Sequence, residues 1–385
     1  MRRIVNDQTD SKIKTFESNI NLISGEINTK HLNFQFYDGI PKSSTTWFDV
    51  SDQIIKLIRN GIKFESSPLI IASYILPVNN FDSNNDLYVS QPVMVYKLRG
   101  VFGGGSGNVY RADTIDYISI SALSPAKDFG DLTVDIESLA GTSNGDNDRG
   151  IFGGGAIVSM TNIISYVTIG TLGNAIDFGD LTLARNRLGA VSNGINERGV
   201  FGAGSDGSDT DLADYITINT TGNAIYFGDL TNARIGVAGT SNGVNDRGVF
   251  GGGSVGGQDR DIDYITISTL GNAIDFGFLT VERSLIAATS NNTNERGVFS
   301  GASNIIDYIT INTPSDATDF GDLTESNDRS AACSSGVEER GVFGGGNIIS
   351  ATDKIEYITI NTLGNALDFS YLTLARKSLA ACSNA

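Results

Sequence analysis

Apolar and polar positions alternate in short runs through most of this chain, and the runs return. Tyr-Ile-Thr-Ile at 215–218 and Gly-Val-Phe-Gly at 248–251 are β-branched and aromatic, bounded by Gly, Asn and Asp. Such runs predict short strands separated by turns. RGVFGGG begins at Arg99 and recurs with small changes at Arg149, Arg198, Arg247, Arg296 and Arg340. An IDYITI-like stretch carries Tyr117, Tyr166, Tyr215, Tyr264, Tyr308 and Tyr357. A DFGDLT-like stretch carries Phe129, Phe178, Phe227, Phe276, Phe320 and Phe369. A fourth element, typified by RNRLGAVSN from Arg185 to Asn193, completes a unit of 49 residues, with 50 between Arg99 and Arg149 and 44 between Arg296 and Arg340. The pairs Asn144-Gly145, Asn193-Gly194 and Asn242-Gly243 supply the positive-φ residues a tight connection needs.

Six units of four strands predict a six-bladed β-propeller over residues 99–385. The repeat starts on its second element at Arg99 and stops on its first at 376–384. That phase predicts that the C-terminal strand closes the first blade, whereas a solenoid would leave two open ends. The small residues of the first element, such as Gly189, Ala190 and Ser192, suit the crowded innermost strand.

Residues 1–98 lack the repeat and are expected to form an N-terminal arm and a small α+β docking or assembly domain. Residues 1–30 read as an arm that orders against a partner, and 31–38 (HLNFQFYD) alternate like a strand. Ser51 is placed to cap a short helix over DQIIKLIRN, with Gly61 as its stop. The apolar runs 68–78 and 87–98 read as further strands. The longest of them is far short of the roughly 18 residues of a membrane span. Residues 1–15 lack the apolar stretch of a secretory leader, so neither membrane insertion nor that export route is expected.

The Arg-led first strand, the apolar second strand ending in Gly-Gly (Val249-Phe250-Gly251-Gly252), the Tyr-bearing third and the aromatic-led fourth resemble a kelch blade. The chain departs from that family in carrying Phe where its fourth strand usually has Trp. The near-identity of the units, with DFGDLT beside RGVFGGG, is also similar to kelch-like arrays in virion and tail proteins of bacteriophages, marine ones especially. That resemblance implies a virion location and a structural or adhesion role. A propeller scaffold by itself names no partner.

Charge narrows the partners. The chain has a net charge of −17, and all of it lies in residues 99–385, with 17 Lys/Arg against 34 Asp/Glu. Nucleic acid is therefore not an expected partner, because its binding depends on cations neutralising phosphates.

In a four-stranded blade the connections from second to third strand and from fourth to first open on one face. The second-to-third connections vary most: SGNVYRADT, AIVSMTN, SDGSDTDLA, SVGGQDRD, SN and NIISATDK. Rigid scaffolds place partner contacts in such loops, and unconstrained drift is the competing reading. Tyr110, Arg111, Met160, Asp206, Gln258, Arg260, Asn304 and Lys354 are the candidate ligand-binding residues. Arg185, Arg234, Arg283 and Arg376 begin first strands and are candidates for the channel mouth. Because they recur with the fold, bonding to blade backbone or carboxylates is the stronger reading. The N-terminus of the repeat and the C-terminus should both lie on the opposite, uniform face, with residues 1–98 behind the ring.

Most catalytic chemistry lacks its residues. His31 is the only histidine, so His-rich metal sites and most triads cannot be assembled. Cys333 and Cys382 are too few for zinc, and their equivalent small-residue positions suit buried free thiols. Trp47, the only tryptophan, lies outside the ring, and the Asp boxes of six-bladed sialidases are missing. Asp177-Phe178-Gly179 recurs with the units and lacks a kinase context. Asp146 and Asp148 hint at calcium, but other units read Ile195-Asn196-Glu197 or Val244-Asn245-Asp246. The expectation is a protein without cofactor or metal, a non-catalytic virion component anchored to other virion proteins, or to copies of itself, through residues 1–98. Its loop face would bind a host-surface glycan or protein. The alternatives are a glycan-processing enzyme using one of many acid pairs and a cellular kelch-type adaptor.

Overall fold

The structure is a computed structural model that describes residues 98–385 throughout and, of residues 1–97, the backbone of eight short strands. Contacts divide the chain into Met1–Lys97 and Leu98–Ala385. In the first unit, Ile54–Arg59 is a strand paired antiparallel with Ser44–Asp49 and with Ile62–Ser66. The helix expected over 52–60 is therefore corrected. Ile54, Ile55 and Ile58 favour a strand, and Arg59 pairs with Ile62 of the next strand. The apolar runs 68–78 and 87–98 contain the paired strands Tyr74–Ile75 and Val93–Met94 and the strand Leu87–Val89, and within the expected arm Ile13–Phe16 pairs parallel with Ile62–Ser66, whereas the strand at 31–38 and the α+β character fall outside the described residues.

Residues 98–385 form a six-bladed β-propeller of antiparallel four-stranded sheets. Blade 1 takes its innermost strand from the other end of the chain: Ala380–Ser383 pairs antiparallel with Arg99–Gly103, followed outward by Thr114–Ser119 and Lys127–Asp131. The expected closure is present. Blades 2 to 6 then run in order with innermost strands Ala140–Ser143, Gly189–Ser192, Ala238–Ser241, Ala287–Ser290 and Ala331–Ser334.

Packing between blades explains the repeated wording. Phe102, Phe152, Phe201, Phe250, Phe299 and Phe343 of the second strands are almost wholly buried. Glycine at the end of that strand makes room for the phenylalanine of the next blade, since a Cβ at Gly153 would stand 2.8 Å from the Phe201 ring. Arginine at the head of the second strand bridges blades. Arg149 lies 4.3 Å from the Tyr166 ring centroid in its own blade and donates to the Ile218 carbonyl of the next at 2.9 Å. The same pairing is made by Arg99, Arg198, Arg247, Arg296 and Arg340.

The uniform connections are consumed by the same work. In Gly173-Asn174-Ala175 the two outer amides donate to Phe129 and Asp131 carbonyls of the preceding blade, while Asn174 Oδ1 accepts from the Asp131 amide. An outer strand edge that would otherwise be unpaired is thereby covered. On the first-to-second connections Asn144, Asn193, Asn242 and Asn291 donate to Glu197, Asp246, Glu295 and Glu339 of the following blade. Asn384 donates to Asp148 and carries that girdle across the closing strand.

Candidate functional site

The second-to-third loops and the fourth-to-first connections share a face. Backbone bridges join them blade by blade, as in Glu137 with Ala156, Asn186 with Ser205 and Asp328 with Asn347. At the centre of that face, six residues at equivalent positions form a closed ring of backbone hydrogen bonds. Arg187 donates to Ser138, Gly236 to Arg187, Leu285 to Gly236, Arg329 to Leu285, Ser378 to Arg329 and Ser138 to Ser378, at 2.7–2.8 Å. All six have φ between 55° and 70°. The channel rim is thus a hydrogen-bonded collar, and its side chains are those of Ser138, Arg187, Leu285, Arg329 and Ser378.

The four arginines expected as channel-mouth candidates are elsewhere. Arg185, Arg234, Arg283 and Arg376 are at most 1% exposed. Each reaches a third-strand aspartate of its own blade: Arg185 to Asp214 at 2.7 Å, Arg234 to Asp263 at 2.9 Å, Arg283 to Asp307 at 2.7 Å and Arg376 to Asp116 at 2.6 Å. Burial pulls Arg185, Arg283 and Arg376 below the usual guanidinium range, and the aspartates oppose it. Burial likewise pushes the Asp263 carboxyl up, against the pull of Arg234. These are structural pairs, as the stronger reading held.

The two remaining blades make the point sharper. Blade 2 has Ile136 and Ser165 at the two positions, so cation and anion are absent together. Blade 6 has Asn327 and Glu356, and the cation comes from Lys354, 3.2 Å from Glu356. No described third-strand carboxylate at this position lacks a cation, as the cost of an unpaired buried charge requires. Lys354, read from sequence as a loop-face contact, is instead held among Glu325, Glu356 and Asp368.

The other candidates lie on the loop-bearing face with differing freedom. Tyr110 is 81% exposed. Arg111 bonds Glu137 at 3.1 Å, and Met160 is half-buried. Asp206 is exposed, with its carboxylate accepting from the Ser208 amide at 3.0 Å. Gln258 and Arg260 belong to an extended hairpin, where Arg260 stacks 4.7 Å from the Phe278 centroid. Asn304 is exposed near the start of a third strand.

Sequence reading missed the apolar tips. Val158 is 93% exposed, Ile349 96% and Val109 76%. Together with Tyr110 they occupy the loops of blades 6, 1 and 2, three neighbours in the ring, and the Ala351 amide donating to Asn108 Oδ1 at 3.0 Å ties two of those loops together. AIVSMTN and NIISATDK did carry the signal, since apolar residues in a short surface connection have no core to serve.

The axial channel holds a cavity of about 120 Å³ lined by small residues of the innermost strands and, where it opens on the uniform face, by Gly145, Gly194, Gly243, Asn292, Gly336 and Ala385. Among the described residues no group of three or more His, Cys, Asp or Glu is placed to hold a metal ion. No described helix is long and apolar enough to cross a membrane. No protein-family model matches the chain, and no curated protein matches it.

Proposed function

We propose that this is a kelch-type propeller serving as a non-catalytic display module of a phage particle, tail- or fibre-associated. Residues 1–98 would anchor it to other virion proteins or to copies of itself, and the loop face would be offered to a host-surface glycan or protein. The observation that carries the reading is the division of labour between the two faces. Connections on the uniform face are tied down by blade-to-blade hydrogen bonds and leave Leu172, Ile195 and their equivalents about half exposed, whereas Tyr110, Val158 and Ile349, on three adjacent loops, are 81–96% exposed. Clustered exposed apolar side chains mark interaction surfaces. The phage assignment is supported by the likeness of the repeated units to virion arrays.

The test is flow cytometry of the labelled full chain on a panel of marine bacteria, with Tyr110→Ser, Val158→Ser and Ile349→Ser combined as the comparison. Binding to some strains that the triple variant loses, with no sugar released, is the expected result. Equal binding by the variant overturns the loop-face reading, and sugar release favours the enzyme. Antibodies to the full chain that fail to decorate phage particles in electron micrographs would overturn the virion assignment.

A further inference from the structure

Most of the cations in the propeller have no freedom to bind anything. Of the 17 Lys and Arg in residues 99–385, six head second strands and stack on tyrosines, and four are buried against aspartates. Two of the seven others stand at the axis of the loop-bearing face and two more lie outward of it. Arg187 and Arg329 are members of the hydrogen-bonded collar, Lys377 immediately precedes a third member, and Arg111 and Lys377 both bridge to Ser106. Two acids meet them there: Glu137 on Arg111 at 3.1 Å and Asp328 on Arg329 at 3.5 Å. The collar and its immediate neighbours thus hold three cations, Arg187, Arg329 and Lys377, against Asp328 and a Glu137 that Arg111 already neutralises.

Geometry makes it a site rather than a scatter. Arg187 belongs to blade 3 and Arg329 to blade 6, three steps apart in a ring of six, so their Cα atoms face one another across the axis. Hydrogen-bonded backbones stand about 4.8 Å apart, so a closed ring of six spans about 10 Å, within reach of two arginine side chains from opposite rims. Arg187 is exposed, and Arg329 is held only by a long ion pair that is itself part-exposed and therefore weak. The other four blades carry Ser138, Gly236, Leu285 and Ser378 at this position, so the fold does not require arginine there.

We propose that the collar binds an oxyanion on the propeller axis, gripped from opposite sides by Arg187 and Arg329 in the forked geometry that guanidinium offers carboxylate and phosphate oxygens. Resting on the display reading, this names the ligand as an acidic sugar of the host surface, its charged group on the axis and its neutral part towards the loops. A carboxylate and a phosphate ester present the same chemistry.

The experiment is calorimetric titration of the full chain at low salt with glucuronate, glucose 6-phosphate and glucose. At least one acid is expected to bind saturably and glucose not at all; which acid binds tells carboxylate from phosphate. Combined Arg187→Gly and Arg329→Gly should weaken that binding at least tenfold with Tm kept, since Gly236 shows that glycine suits the collar's φ of 70°. Lys127→Ala, on an outer strand, should change nothing. Failure of both acids to bind, equal binding of glucose, or unchanged binding by the double variant overturns the site. Cell binding that survives in the glycine variant and is lost in the loop variant overturns the anion site while leaving the display reading intact.

Discussion

Arg376 donates to the Asp116 carboxylate at 2.6 Å, joining residues 260 positions apart in the chain. The same guanidinium also donates to the carbonyls of Gly104, Thr114 and Phe102, so the segment leading into the C-terminal strand is bonded to four points of blade 1. Arg340 crosses the seam between blades 6 and 1 to the Ile120 carbonyl at 2.8 Å and the Ala126 amide donates to Tyr371 at 2.9 Å, but two links of the regular seams are missing there. Ser335 and Leu98 stand where the other seams have asparagine and carboxylate, and Pro125 replaces the asparagine whose Oδ1 accepts from the edge of the preceding blade elsewhere.

Closure should therefore depend on this pair. Asp116→Ala leaves a buried guanidinium without its charge partner, which costs about 3–5 kcal/mol. Urea unfolding of the full chain should show that loss. A loss of under about 1 kcal/mol, the scale of a surface pair, would mean that the pair does not hold the ring.

A second expectation follows from blade 2, where Ile136 and Ser165 replace the pair altogether. Arg234→Ile alone strands Asp263, and Asp263→Ser alone strands Arg234. The two together copy blade 2 into blade 4 and should recover most of the stability that either loses, with a coupling of about 1–3 kcal/mol in a double-mutant cycle. Simple additivity would refute the pairing.

How far the sequence was legible depends on whether a residue's role repeats. Phe152, Gly153 and Tyr166 recur in phase, and the phase alone led to six blades and to the closing strand. Arg185 recurs too, which is why its bonding to a carboxylate was the better reading, although its partner Asp214 could not be named before the third strand was seen beneath it. The collar was invisible because it is made of backbone, and its six positions share no residue type. The error at 52–60 has a different cause. Ile54–Arg59 has no repeat to compare, and a short apolar run does not distinguish helix from strand until the pairing partner is known.

Glycine at the fourth-strand position offers a graded test of edge covering. A Cβ at Gly179 would lie 2.5 Å from the Gly222 carbonyl carbon of the next blade, and its φ of 146° is itself unfavourable for other residues. Gly173, with a φ of 156°, faces open space. Gly179→Ala should cost about 1–3 kcal/mol more than Gly173→Ala, because it meets backbone that cannot step aside. Equal losses in thermal melts would show that the covering loop moves freely.

Cys333 and Cys382 fill equivalent slots against Gly100 and Gly150 of the following blades. Burial pushes the Cys333 thiol up to about 12 and raises Cys382 as well. The native protein should consequently resist alkylation at pH 8 and react at both thiols in urea. Each thiol stays neutral when folded but ionises near pH 8.5 when unfolded. The stability this contributes is complete below pH 8.5 and is lost as pH rises towards 12. Thr289 occupies the same slot in blade 5, so Cys333→Thr is a substitution the architecture already accepts. The variant's unfolding free energy should fall less than the parent's between pH 8 and pH 10. Parallel losses would assign the alkaline transition to other groups.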